Sequence, residues 1–379
     1  MRIFYYTWFE NSEQDMSEAL VRLGHDVIKC HIPFMDYEED AYFTENFERI
    51  VKENKCDLIL SFDFFPIIAK SADRLKVRYI SWVYDMPHHT VYSPSVESDY
   101  VSLFLFDRNF YLELKEIKPN HIYHLPLAVN TVRLNRQLGK VADFTQEVSF
   151  VGSLYEKNNY RKIQYLPEYV RGYVQGVIEA QKHIYGYNLV AEALQNEIKK
   201  EIEKYVELNL YPGYLVKKEK IYVDMINAEI TCQERIELLE ALAREHEVKL
   251  YTGSNGGVIS GVKQEGIVSY MEEMPQVFQS SKINLNITLR SIESGIPLRA
   301  LDIMGAGGFL LSNYQTELAE NFIDGQELVL FESKEDMLEK VDYYLENEEE
   351  RKRIARNGWE KVQREYSYEV QLKKIFERI

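Results

Sequence analysis

Short apolar, strand-like runs alternate with helix-length segments from the first residues onward, and nothing else in the sequence limits the fold as strongly. "RIFYYT" is followed by "NSEQDMSEALVRLG", where Ser12 or Asn11 can cap a helix and Gly24 can end it. "DVIKCHI", "CDLILSF", "VRYISWVYD" and "VSLFLF" continue the series, separated by segments such as "FTENFERIVKEN". Runs apolar on both faces and joined by helices predict a parallel sheet covered on its two sides.

The alternation breaks once and then resumes. At "HLPLAVNTVRLNRQLGKVADFTQ" the text turns polar after Pro126, which predicts a first domain over 1–130 and a linker over 131–146. A new strand begins in "EVSFVGSLYEKN", opening a second domain over 147–360. A helical insertion interrupts that domain at about 160–228: Val170, Val174, Val177 and Ile178 share one face at helical spacing, as do Ile198, Ile202 and Val206. Strands and helices then alternate through "CQERIELLEALARE", "HEVKLYT", "MPQVFQSSK", "INLNIT" and "GFLLS", and the remainder reads as helix. With 379 residues the chain can bury two cores, so the expected fold class is α/β, two doubly wound Rossmann-like domains facing a cleft.

Charge and composition restrict the partners. A net charge of -16 argues against non-specific binding to nucleic acid or to an anionic membrane. Phosphate on a ligand must therefore be met by a few local cations and by helix N-termini. No apolar run is long enough to span a bilayer, "MRIFYYTWFE" reads as a buried strand rather than a signal peptide, and the three cysteines lie far apart without metal spacing. Reduced thiols and a cytoplasmic location are the expectation. No Asp-x-Asp pair occurs, and His121 and His124 of "HIYH" sit in an apolar, strand-like context that suits structural histidines, so no metal is expected. The first strand lacks a G-x-G-x-x-G turn, which argues against an NAD-dependent oxidoreductase.

One stretch asks for a ligand. In "GIPLRALDIMGAGGFLLS", Gly295 permits close backbone approach and Pro297 suits the first helical position. The first-turn N–H groups, that of Leu298 among them, make an anion site with the helix dipole. Arg299 and Asp302 lie three apart on one face: a guanidinium suits phosphate, and the carboxylate can accept from a ribose diol. Two further loops follow strands: "SFVGS" with Gly152 and Ser153, and "LYTGSNGG" with Thr252, Gly253 and Ser254. In open α/β sheets ligands bind beyond the carboxyl ends of strands, and small residues there let amides reach phosphate oxygens.

On these segments the chain resembles the two-domain (GT-B) glycosyltransferases, close to the bacterial spore-maturation, CgeB-type group. "SGIPLRALDIMGAGGFLLS" is similar to that group's "G-x-P-x-R-x-x-E…G-G" segment, and "YYTWFENS", "SWVYDMPH", "LFLFDRNF" and "VSFVGSLY" extend the likeness. The resemblance implies a metal-independent transfer of a sugar from a nucleotide-sugar, UDP-linked, to a hydroxyl acceptor, with no cofactor. It implies Asp302 as the ribose acid, backbone groups at Ile267 and Val268 beside the nucleobase, Arg299 and Lys263 on the pyrophosphate, and a C-terminal helix over 361–379 crossing back to the first domain. That domain would hold the acceptor. "SWVYDMPHH" ends a strand with Asp85, His88 and His89, which makes Asp85 and His88 candidate bases, with Glu10 of "TWFEN" in reserve. The same fold also hosts nucleotide-sugar epimerases, and a non-catalytic carbohydrate-binding or coat-assembly role keeps the same cleft.

Overall fold

The computed structural model describes residues 1–138, 144–254 and 257–379, except the side chain of Gln164. Part of the expected linker (139–143) and Asn255 with Gly256 of the glycine loop lie outside the described residues. The chain divides into two units. Unit 1 comprises Met1–Asn130, Leu210–Val216 and Arg364–Ile379, and unit 2 comprises Thr131–Asn209 and Lys217–Gln363.

Unit 1 holds a six-stranded sheet of β1 (Arg2–Tyr6), β2 (Asp26–Cys30), β3 (Leu58–Phe62), β4 (Arg78–Val83), β5 (Val101–Leu105) and β6 (Ile122–His124), in the order β2-β1-β3-β4-β5-β6. Every pairing is parallel. All residues of β3 and of β5 are buried, the pattern of inner strands covered on both faces, whereas edge strand β2 is partly exposed. Asp40 and Asp107 cap the helices Ala41–Glu53 and Arg108–Ile117 by accepting from the N–H of Phe43 and Phe110. Ser12 occupies the N-cap of the helix Glu13–Arg22 but makes no capping bond there, so the cap expected of it is absent. The helix Tyr368–Phe376 belongs to this unit, and Glu369 accepts from Arg22 at 2.6 Å.

Unit 2 holds β7 (Gln146–Val151), β8 (Val248–Tyr251), β9 (Lys263–Gly266), β10 (Ser281–Asn286), β11 (Leu310–Asn313) and β12 (Val329–Phe331), in the order β12-β11-β10-β7-β8-β9, again all parallel. The two parallel α/β sheets required by the sequence alternation are both present. Three boundaries differ from expectation. Residues Thr131–Gln137, expected as linker, form a helix of unit 2. The end of the insertion and "CQERIELLEAL" are one helix, Lys218–Leu242, because apolar and buried residues run through both pieces without a break. Leu210–Val216, inside the insertion, belongs to unit 1: Tyr211 donates to Asp36, and the N–H of Leu215 donates to the carbonyl of Tyr92 at 2.8 Å.

Candidate functional site

Both sheets have one place where the strand order reverses, and there the loops at the carboxyl ends diverge to leave room for a ligand. In unit 2 that place lies between β7 and β10. Arg235, carried by the helix Lys218–Leu242, reaches across it: its guanidinium donates to the carbonyl of Ser153 after β7 and to that of Ile287 after β10, the latter at 3.1 Å. It lies over the rings of Phe150 and Tyr155 at 5.1 and 5.0 Å. Burial lowers its pKa to about 10, which leaves it charged at neutral pH. Arg299 adds a second positive charge near enough to depress it further. Two cations kept close, one of them hydrogen-bonded to backbone carbonyls, form a floor suited to a diphosphate.

The stretch at 295–312 folds around this floor. The helix is Leu298–Gly305, so Pro297 is its N-cap and not its first helical residue; having no side-chain acceptor, Pro297 leaves the first turn uncapped. Gly295 and Pro297 are buried, and Leu298 and Arg299 half-buried. Arg299 and Asp302 do form the intrahelical pair expected of their spacing, at 3.2 Å, but Asp302 is only 4% exposed and also accepts from the hydroxyl of Tyr270 at 3.1 Å. Arg133 in turn lies over the Tyr270 ring. The helix closes in a Schellman turn: Gly308 N–H to Ile303 O and Gly307 N–H to Met304 O, both 2.9 Å, with Gly307 at φ +78°. Gly308 serves packing, since a Cβ there would stand 2.7 Å from Asn284 Nδ2 and 2.8 Å from Phe278 O.

The β7 and β8 loops are tied together. Ser254 Oγ accepts from the N–H of Leu154, Ser153 Oγ from that of Tyr155, and Thr252 Oγ1 from that of Ser254, at 3.0 to 3.1 Å. These hydroxyls build the turns rather than wait for a ligand. Ser153, Tyr155, Lys157, Gly253 and Ser254 line a cavity of about 310 Å³ beside them. Exposed Lys157 makes no ion pair among the described residues. Ile267, exposed, lies across Gly253, where a Cβ would come within 2.9 Å of its Cδ1, and Val268 is half-buried next to it. Lys263 is the exception among the expected donor-side residues. It begins β9, paired in register with Lys249, is exposed, and holds Glu265 at 2.9 Å. That is the wrong end of the strand for a ligand beyond the carboxyl edge, so its assignment to the pyrophosphate is corrected.

In unit 1 the reversal lies between β1 and β3. A cavity of about 600 Å³ opens there, lined by Tyr6, His31, Asp63, Asp85, His88 and Thr90 and by aromatic residues of the first three connections. Asp63, directly after β3, is buried and left-handed at φ +57°, a conformation Asp tolerates better than most residues. Its Oδ1 accepts from the N–H of Tyr84 at 2.9 Å and of Asp85 at 3.1 Å, which fixes the loop after β4. Asp85 lines the cavity, and its carboxyl is pushed up to about 6, first by desolvation and then by the charge of Asp63, with His88 opposing. A carboxyl titrating there can take a hydroxyl proton near neutral pH. His88 Nε2 meets the N–H of Phe64 at 3.0 Å, the Thr90 hydroxyl at 2.7 Å and the Phe64 carbonyl at 3.3 Å, and its Nδ1 stands 3.8 Å from Asp63 Oδ1. These contacts hold the imidazole against the start of the loop after β3, so His88 positions that loop. Glu10 is corrected too: it is buried, accepts from Tyr5, Thr7 and the N–H of Trp8, and does not line the cavity.

Four residues escape sequence reasoning: Asp63, Lys157, Arg235 and Tyr270. The strand-end rule finds Asp63, which follows "LILSF" as Asp85 follows "YISWVY". Arg235 carries no local signal, because its partners are carbonyls 52 and 82 positions away.

A family model described as "Glycosyl transferase-like" matches residues 234–377, which include Arg235, Tyr270, Arg299 and Asp302. Solved structures similar over the whole chain include sucrose-phosphate synthase from Thermosynechococcus elongatus, with TM-score 0.58, 9% identity and 100% of this chain on 98% of that one. A glycosyltransferase from Rickettsia africae gives TM-score 0.55 and 11% identity over 99% and 97% of the two chains. Anabaena HepE, in complex with UDP and glucose, gives 0.53 and 10% over 100% of both. A search of curated protein sequences finds no match. The fold is that of the GT-B glycosyltransferases, and the match to the glycosyl transferase-like model falls on residues 234–377.

Proposed function

We propose that the protein transfers a sugar from a UDP-linked donor to a hydroxyl acceptor without a metal ion, in the cytoplasm where nucleotide sugars are made. The observation that carries the reading is the buried Arg235 at the reversal of the second sheet, with the Arg299–Asp302–Tyr270 group beside it. In this reading Asp302 accepts from the ribose hydroxyls, and Lys157 and Arg299 meet the diphosphate together with the uncapped turn at Leu298. Gly152 and Gly253 let backbone amides approach, and Ile267 with Val268 flanks the base. HepE, bound to UDP and to UDP-glucose in its structures, supports uracil as the base. The "SGIPLRALDIMGAGGFLLS" segment supports the CgeB-type group within this class.

Departure of UDP leaves negative charge on the diphosphate. Cations and helix amides already oriented toward it stabilise that charge with little reorganisation, the role a divalent ion plays in enzymes that carry an Asp-x-Asp pair. In unit 1, Asp85 removes the acceptor's hydroxyl proton, Asp63 holds the N–H of residue 85 in place, and His88 braces the same loop.

The test is consumption of UDP-glucose and related donors in the presence of EDTA, followed by release of nucleoside diphosphate. Turnover that persists in EDTA within about twofold is expected, since a lost catalytic metal removes several kcal/mol of charge stabilisation. No turnover of any donor, or turnover restored only by a divalent ion, refutes the reading.

A further inference from the structure

We propose that the cavity of unit 1 takes as acceptor a neutral sugar ring, one without phosphate or carboxylate; the proposal rests on the glycosyl-transfer reading above. The wall of the cavity is aromatic, with Trp8, Phe34, Tyr37 and Phe65 on it. Tyr37 is 47% exposed, yet its ring is set: parallel to Phe65 with centroids 6.3 Å apart, and edge-on to Phe34 at 5.0 Å. A rigid aromatic surface with apolar faces matches the C–H face of a pyranose. The backbone that carries it is anchored as well, because Asp36 accepts from Tyr211 and the carbonyl of Tyr37 from the N–H of Ile67 at 2.9 Å.

The carboxylates of the cavity are those of Asp63 and Asp85; the imidazoles of His31 and His88 lie beside them, and among the described residues no Lys or Arg lines it. Both hydrogen bonds that Asp63 accepts from backbone N–H groups go to Oδ1. Oδ2 thus retains its capacity, and Asp85 lines the same cavity. Carboxylates accept from hydroxyls, so two adjacent acids suit a polyhydroxylated ring. The adjoining loop "MDYEED" adds four more acids, and Lys70, the cation that reaches it, is held by Glu38 at 2.8 Å. A phosphate or a carboxylate on the acceptor would face like charges with no Lys or Arg of the lining to answer them. The volume of about 600 Å³ accommodates one or a few sugar rings.

The experiment is saturation-transfer NMR, with and without UDP, on wild type, Tyr37→Ala and Asp63→Asn. Four probes are compared: methyl β-glucopyranoside, glucosamine, glucuronate and glucose 6-phosphate. The methyl glucoside should bind, with ring protons of one face showing the strongest transfer, and its affinity should fall roughly tenfold in Tyr37→Ala. Both anions should be silent on wild type, and Asp63→Asn should narrow the gap between glucuronate and the methyl glucoside. Anions bound as well as the neutral glycoside, glucosamine preferred over it, no probe bound, or affinity unchanged in Tyr37→Ala would each overturn the inference. UDP titration of the same samples reads unit 2. UDP binding without sugar binding refutes only the acceptor inference, and sugar binding without UDP binding refutes only the donor reading.

Discussion

Replacing Asp63 by Asn removes one charge from the acceptor cavity while keeping its shape. Asn retains the side-chain oxygen that accepts from the N–H of Tyr84 and Asp85, at 2.9 and 3.1 Å in the wild type, and tolerates φ +57°. The consequence falls on Asp85. Its carboxyl rises from 3.8 to about 6, with desolvation as the larger cause and the charge of Asp63 as the second. Asp63 is thus the smaller of the two causes that raise it, and its loss lowers the value by on the order of one unit. If ionised Asp85 is the base, kcat/KM falls about tenfold per pH unit on the acid side of that value. At pH 5 the ionised fraction grows from about a tenth to about a half, so Asp63→Asn should be about fivefold faster than wild type at that pH when each is normalised to its own rate at pH 8. The assay is acceptor-dependent UDP release as a function of pH, with Asp85→Asn as the reference, expected to lose about 10²- to 10⁴-fold. An acid limb that stays in place in Asp63→Asn, or Asp85→Asn within threefold of wild type, roughly, would refute the assignment of the base.

Other substitutions probe unit 2. Arg235→Lys replaces a fork by a single amine that does not span the carbonyls of Ser153 and Ile287, and UDP affinity by calorimetry should fall about tenfold; an unchanged affinity contradicts the role of this floor. Lys157→Ala should weaken UDP several-fold, about 1 kcal/mol, and leave uridine unaffected, the difference expected of a lost phosphate contact. Gly308→Ala forces a Cβ against the backbone carbonyl of Phe278, so urea unfolding should show a loss of roughly 1–3 kcal/mol, and a midpoint equal to wild type would show that the turn yields.

The sheets were legible because parallel strands buried on both faces must be written as unbroken apolar runs, as in "LILSF" and "VSLFL". The glycine turns and the Arg299–Asp302 spacing were legible for a similar reason, since local backbone chemistry allows few alternatives. What the sequence concealed was long-range. Whether Glu10 is a base or a turn acceptor depends on Tyr5, Thr7 and Trp8 folding back on it. Lys263 stands near a glycine-rich loop in sequence, but strand direction carries it to the opposite end of β9. Residues 131–137 read as linker because they are polar, and they form a helix whose Arg133 donates to the carbonyl of Met271 at 3.0 Å, a partner 138 positions away.

The most direct test of the donor site is thermal unfolding in EDTA with UDP, GDP, CDP, TDP and ADP, for wild type and Asp302→Asn, which keeps an oxygen for the Tyr270 hydroxyl. Ligand at about a hundred times its dissociation constant adds about 2.7 kcal/mol of stability, enough for a clear shift in Tm. The account predicts a shift with UDP that Asp302→Asn loses while its own unliganded Tm stays close to that of wild type. No shift with any nucleotide, or a UDP shift undiminished in Asp302→Asn, would contradict it and return Arg299 and Asp302 to an ion pair of the fold.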